Sequence, residues 1–176
     1  MIKDSSKIQL EAKTPTRASV TLEETQVSDS KIVIYGLPHN AIAAKIDTFT
    51  SPDTILAGTR GECKRADYVI LSDDNDKKLI LYIEIKLKRK EEKHLIEQLK
   101  GAVCFIGFCK EVAKQFWYNP TFLSDFDCRF VVFTHTGSIR KRSTRIDKDH
   151  QKNDTPEKAL KISYTQKYEF SQLVGR

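Results

Sequence analysis

Much is missing from this chain, and each absence removes a class of function. No run of apolar residues reaches membrane-spanning length. The opening stretch MIKDSSKIQLEAK has no apolar core of signal-peptide length. Both absences lead to the expectation of a cytoplasmic protein with no membrane partner. The cysteines, at positions 63, 104, 109 and 128, show no CxxC spacing, and no histidine lies near one at zinc-ligand spacing. They read as free thiols of a reducing compartment, with Cys104 and Cys109 acting as small hydrophobes in an apolar helical run. His39, His94, His135 and His150 are scattered without an HExxH and read as solvated or capping residues. There is no Gly-rich phosphate loop, no Ser-His-Asp order and no dinucleotide-binding fingerprint. No internal repeat or long low-complexity tract is present.

What is present is charge. Charged residues make up 31% of the 176 positions, hydrophobic ones 39%, and the net charge is +6. The isoelectric point is about 9.1. This length suits one domain with a single core. The basic balance favours an anionic partner, nucleic acid before a membrane surface, against the plainer reading of a lysine-rich coat.

Residues 1–30 are mostly polar and read as an N-terminal arm or as edge strands; residues 31–176 read as one domain. KIVIYGLP (31–38) reads as a short strand ended by Gly36 and Pro38. Asn40 suits an N-cap, and Ile42, Ile46 and Phe49 recur at helical spacing, so a helix is predicted over 41–49. TILAGTR (54–60) reads as a weak strand. RADYVIL and LILYIEIKLK, joined by the polar turn SDDNDKK, read as a hairpin. From about Lys90 to Trp117 the residues Leu95, Leu99, Ala102, Ile106, Cys109, Ala113 and Phe116 keep helical spacing. Ile96, Val103, Phe105 and Phe108 widen that face and predict a helix deeply buried along its middle. Trp117 and Tyr118 are expected to pack the helix end, with stacking on a base as the alternative. CRFVVFTH (128–135) reads as a strand, 137–158 as a mobile basic loop, and ALKISYTQKYEFSQLVG as a strand and a closing turn. From Ala41 the predicted order is helix, strand, strand, strand, helix, strand: an α/β domain with helices flanking a central mixed sheet.

The hairpin carries the chemistry. In Leu79–Leu87 the odd positions are all apolar, whereas the even face runs Ile80, Tyr82, Glu84, Lys86. A solvent-facing strand is more often polar throughout, so this pattern suggests a cleft edge. With Asn75 and Asp76 at the centre of a tight turn, Asp74 pairs with Lys77, and counting back sets Asp67 opposite Glu84. Directly opposed Cβ atoms lie about 5 Å apart. Two carboxylates that close repel each other unless a cation lies between them. Lys86 on the same face supplies one positive charge. Mg²⁺ (or Mn²⁺) would supply more, held by Asp67 and Glu84 with the Ile85 carbonyl as a third oxygen. Such an ion lowers the pKa of a water and stabilises charge on a scissile phosphate. Lys86 can orient or help deprotonate that water, and Gln98 on the following helix leans toward the same end of the sheet. A one-residue slip in register would separate the two acids.

RADYVIL, YIEIK and a helix carrying Gln98 together resemble the PD-(D/E)XK nuclease superfamily, over about residues 40–135. Three other Glu-x-Lys triplets occur, at Glu11, Glu62 and Glu91, but only Glu84-Ile-Lys86 sits in a strand after a strand-borne Asp and before a long helix. The resemblance implies a restriction-endonuclease-like αβββαβ core, with Asp67 and Glu84 as metal ligands, Lys86 completing the catalytic trio, and Gln98 in the place of a helix glutamine found in several branches. Members of the RecB-like exonuclease branch carry Tyr four residues after that glutamine; here the position is Ala102. An accessory acid, common on the first helix, would be Asp47 or Glu62.

The expectation is a Mg²⁺-dependent endonuclease, acting on DNA before RNA and dimeric if it makes double-strand cuts. Lys88 and Lys90 beside the site, and Arg140, Lys141, Arg142 and Arg145 in the basic loop, are the candidate phosphate contacts. The alternative is a catalytically inactive nuclease-like domain that binds nucleic acid or protein.

Overall fold

The computed structural model describes residues 2–23, 31–74, 77–86, 91–134, 152–163 and 167–175. It has three layers: two sheets and one long helix.

The middle layer is a six-stranded mixed sheet built from β1 (Lys7–Ile8), β5 (Ile42–Lys45), β6 (Tyr68–Asp74), β7 (Lys77–Lys86), β8 (Asp127–Thr134) and β9 (Leu160–Ser163) in that spatial order. β1, β5, β6 and β7 pair antiparallel, whereas β7, β8 and β9 are parallel. Helix α1 (Glu92–Trp117) makes the connection that parallel pairing of β7 with β8 requires. The second sheet holds β2 (Glu11–Ala12), β3 (Arg17–Glu23), β4 (Lys31–Pro38) and β10 (Lys167–Glu169), in the order β10-β4-β3-β2. A short helix, α2 (Phe170–Val174), closes the described chain behind a capping box of Glu169 and Gln172.

Side-chain alternation divides the core into two. Ile70, Leu79, Leu81, Ile83, Ile85, Val131 and Phe133 point to the second sheet, where Val20, Leu22, Ile32, Ile34 and Leu37 meet them. Val69, Leu71, Ile80, Tyr82, Phe130 and Val132 point the other way, onto Leu95, Leu99, Ala102 and Ile106 of α1. A strand covered on both faces is apolar at nearly every position; this explains the unbroken LILYI run of β7.

Several expectations are corrected. The helix predicted over 41–49 is strand β5. Its short apolar pattern fits either element, and pairing with β6 decides it: Ala43 opposes Ile70 and Ala44 opposes Val69, with the two alanines in different core halves. Asn40 caps no helix; its side-chain amide donates to the Asp73 carbonyl at 2.6 Å. TILAGTR is not a strand. It follows a 3-10 turn at Pro52–Thr54, leaves Ile55 86% exposed, and turns through Gly58 and Gly61 at positive φ. Of the two readings of residues 1–30, arm or edge strands, the described part forms strands: β1 and β2 lie at sheet edges, whereas β3 is an inner strand with Ala18, Val20 and Leu22 buried. Helices do not flank the central sheet on both sides; one face is covered by the second sheet. Helix α1 is amphipathic rather than buried all round. Leu95, Leu99, Ala102, Ile106, Cys109 and Ala113 are buried as predicted, but Phe116, Val103 and Phe108 are exposed. The expected closing strand and turn are two strands, β9 and β10, and α2.

Of the loop read at 137–158, the described part begins at 152 and is anchored. Asn153 is buried, donates to the carbonyls of Phe130 (3.0 Å) and Leu173 (2.9 Å), and its own carbonyl accepts from Phe130 N–H. Arg140, Lys141, Arg142 and Arg145, like Lys88, Lys90 and the Asn75-Asp76 turn pair, lie outside the described residues.

Gly101 sets the distance between α1 and the chain entering β6. A Cβ built there would stand 1.7 Å from the Lys64 carbonyl oxygen, an impossible approach to a backbone atom. Gly107, one helical stretch later, has nothing within 4 Å of the same position. The two glycines therefore respond in opposite directions. Gly107→Ala is expected to stabilise the fold by about 0.5–1 kcal/mol through helix propensity. Gly101→Ala is expected to destabilise it by about 1–3 kcal/mol or more through overpacking. Urea midpoints of the two variants, compared with the parent, check both signs.

Candidate active site

The hairpin register is the one the sequence predicts. Asp74 pairs with Lys77, and the ladder runs without a shift to Tyr68 opposite Ile83. One step further brings Asp67 to the level of Glu84, on the helix-facing side of the sheet. Pairing with β5 extends to this point, since Ile46 N–H donates to the Asp67 carbonyl at 2.9 Å. Asp67 and Glu84 thus meet at the carboxyl end of β7, where the chain leaves the sheet for α1.

Asp67 does not merely face β7. Its Oδ2 accepts the Ile85 backbone N–H at 2.7 Å, a bond buried from solvent. In extended backbone the N–H and C=O of one residue point to the same side, so the Ile85 carbonyl is also turned toward Asp67. Glu84 has no exposed surface at all, and Lys86 Nζ stands 2.7 Å from its Oε1. Beyond that ion pair, neither Glu84 oxygen has a hydrogen-bond partner among the described residues. Burial first, and then the neighbouring Asp67 charge, push the Glu84 carboxyl up to about 8, against the opposing pull of Lys86. Lys86, and any further cation at this corner, favours the ionised form against that burial.

Gln98 reaches the same corner. Its Nε2 donates to the Arg65 carbonyl at 3.4 Å, and its Oε1 is buried with no hydrogen-bond partner among the described residues. The segment leading into Asp67 is therefore held from two directions, by Gln98 and the Gly101 approach on one side and by β5 and β7 on the other. The remaining two candidates are engaged elsewhere. Glu62 is exposed and accepts the Arg60 N–H at 2.8 Å within its own turn; such backbone bonds hold its carboxyl below the usual range. Asp47 lies 3.6 Å from Lys45.

Two parts of this corner escape sequence reading. Lys64 bridges Glu97 (2.5 Å) and His94 Nδ1 (2.6 Å) just outside Gln98, and the Lys64 bond holds the Glu97 carboxyl low. His94 and Glu97 are one helical turn apart, but nothing local announces Lys64. Gly101 was detectable in principle, because glycine inside a helix costs stability unless close packing requires it.

The oxygen donors suit Mg²⁺, which one or two carboxylates commonly hold together with water and phosphate. Glu84 Oε2 and Gln98 Oε1, buried without a partner among the described residues, are the observation in favour of such an ion. Against a metal held by side chains alone, no group of three or more His, Cys, Asp or Glu with ligating spacing occurs among the described residues.

The buried Glu84 has a consequence for stability. Its folded-state value of about 8 lies above the ordinary 4.5, so the folded protein binds the proton more tightly than the unfolded chain does. Stability is then greatest below the unfolded value and falls as pH rises through the interval up to about 8. In metal-free buffer, Glu84→Gln is expected to flatten this slope. The variant should exceed the parent by on the order of a few kcal/mol at about pH 9 and approach it at about pH 5. Denaturant titrations across that range measure the difference.

No helix among the described residues is long and apolar enough to cross a membrane. In comparisons with known proteins the chain matches no family model, no curated protein and no solved structure.

Proposed function

We propose that the chain is a metal-dependent nuclease that hydrolyses phosphodiester bonds, DNA before RNA, at the corner formed by Asp67, Glu84, Lys86 and Gln98. The observation that carries this reading is Glu84: a fully buried carboxylate beside a second carboxylate, paired among the described residues with Lys86 alone. Burying such charges is costly without compensation, and structural ion pairs seldom justify it. The β5-β6-β7-α1-β8 sequence of elements supports a restriction-endonuclease-like core in which β5 follows no helix.

Asp67, Glu84 and the Ile85 carbonyl would hold Mg²⁺. When bound, that ion would activate a water and neutralise charge on the phosphate. Ile85 N–H fixes the Asp67 carboxylate by holding one of its oxygens. Lys86, mostly buried, is placed to orient the attacking water or to offset charge developing on the phosphate. Gln98 Oε1 is available to accept a hydrogen bond from the water or a substrate group. The net charge of +6 favours the polyanionic substrate. A homodimer would supply the second site for a double-strand cut.

A second reading, a nuclease-like domain that binds without cutting, draws on the short side-chain ligand set and on Lys86 already occupying Glu84. The two part on one experiment. Plasmid, linear duplex, single-stranded DNA and RNA are incubated with Mg²⁺, Mn²⁺ or EDTA. Cleavage that needs metal and drops at least about 100-fold in Glu84→Ala and Lys86→Ala supports the nuclease; equal cutting by these variants rejects the site. Retained binding with no cutting in any condition favours the second reading. Independently of turnover, Mg²⁺ at about 100 times its dissociation constant should stabilise the parent by about 2.7 kcal/mol and leave Glu84→Gln unchanged, as read by thermal unfolding.

A further inference from the structure

Residues 61–65, which deliver the chain to Asp67, are docked on α1 by a charged cluster that has no part in the chemistry above. Lys64 Nζ donates to Glu97 Oε2 at 2.5 Å and to His94 Nδ1 at 2.6 Å. An ammonium carries donors only, so Nδ1 is the acceptor and the ring proton is on Nε2, which lies 3.9 Å from Glu91 Oε2. Glu97 is nearly covered, with 12% of its side chain exposed against 35% for Lys64. Part of the cover is Gly61, at φ +83°, where a Cβ would stand 2.8 Å from the Glu97 stem. Only glycine lets the turn lie on that stem. The exposed pair Lys13–Glu11 leaves 47% and 61% of its side chains in solvent, and pairs of that kind contribute little; the Lys64–Glu97 pair is of a different kind.

Lys64 is gripped at both ends. Its carbonyl oxygen lies against Gly101, and its ammonium reaches Glu97, one helical turn earlier. Residues four apart share a helix face and lie about 6 Å apart along the axis. Two contacts at that separation set the height of the segment along α1. Gln98, between them, bonds the Arg65 carbonyl. From the other side Ser51 Oγ donates to the Cys63 carbonyl at 3.2 Å, and Arg65 donates to the Thr50 carbonyl at 3.1 Å. Ala66 is fully buried. Asp67 follows directly, its carbonyl taken by Ile46 N–H and its Oδ2 by Ile85 N–H.

We infer that Lys64 is a positioning residue: through Glu97 it sets the height of Asp67 against Glu84, and thereby the affinity of that corner for a divalent cation. The cation rests on the nuclease reading; the positioning does not. Groups that orient a ligating carboxylate without touching the ion change metal affinity by about ten- to hundredfold. The Lys64 ammonium is already held by a nearly covered carboxylate and an imidazole, so it serves the backbone that carries it rather than a phosphate.

Amide hydrogen exchange of the full-length protein in EDTA reads the positioning directly. Two amides report on Asp67: Ile85 N–H, bonded to its carboxylate, and Ile46 N–H, bonded to its carbonyl. Lys64→Met keeps most of the stem and removes the charge; Glu97→Gln keeps the shape and removes the countercharge. Each should speed exchange at Ile85 and Ile46 by about five- to thirtyfold. Ile70 and Leu81, paired nearer the turn of the same hairpin, should exchange as in the parent, and Lys64→Arg should match the parent at all four. In a second measurement, Mg²⁺ titrated against thermal unfolding should bind Lys64→Met about ten- to hundredfold more weakly. The inference is overturned if Lys64→Met moves neither reporter, or if all four amides accelerate together. Weaker oligonucleotide binding by Lys64→Met in EDTA, with both reporters unmoved, overturns it by making Lys64 a phosphate contact. Accelerated reporters in a protein whose parent form binds no Mg²⁺ reject the metal site and leave the positioning standing; Mg²⁺ bound alike by parent and Lys64→Met, with unmoved reporters, does the reverse.

Discussion

Burial of Glu84 is the constraint around which the other parts are arranged. A sheet covered by a second sheet on one face and a helix on the other excludes water from its middle strand. An ionised carboxylate there is expensive, and its neighbour Asp67 adds repulsion. The structure answers with Lys86 on the same face and with a corner of polar groups where β7 leaves the sheet. Everything that positions Asp67, namely the β5 pairing, the Ile85 N–H and the approach of residues 64–65 to α1, also determines how strongly Glu84 is perturbed.

The part of the site on the hairpin was legible because strands have a period of two and the turn is short. Once Asp74 and Lys77 are paired, every later pair follows, and the ladder to Tyr68 and Ile83 agrees. The buried stripe of α1 was legible for a similar reason: six of its seven predicted positions repeat at helical spacing and are buried. Phe116 failed because the helix outruns the sheet beneath it. The segment 41–49 failed because four residues of strand and two turns of helix leave the same apolar pattern. The strand over 31–38 was legible as β4, but neither its pairing with β10 nor the Lys64–His94–Glu97 cluster has a local signal, since both come from contacts between residues far apart in the chain.

Gly101 and Gln98 show how the scaffold and the site share parts. One removes a side chain so that a backbone carbonyl can lie against the helix; the other donates to the next carbonyl along. Together they fix the chain just before Asp67, so packing faults in α1 are transmitted to the carboxylate pair without touching it.

The second sheet has a consequence for how the molecule assembles. β4 is bordered on one side by β3, a near neighbour in sequence, but on the other by β10, which pairs with it in parallel from the far end of the chain. Until β10 arrives, an apolar strand carrying Ile32 and Ile34 presents an open edge. Parallel pairing over such a separation forms late. The six-stranded sheet up to β8 and its helix are built from nearer contacts, so the corner of Asp67 and Glu84 is able to form before the layer that seals the opposite face. During synthesis, the interval between those events is when the chain is most exposed to pairing with another copy of itself.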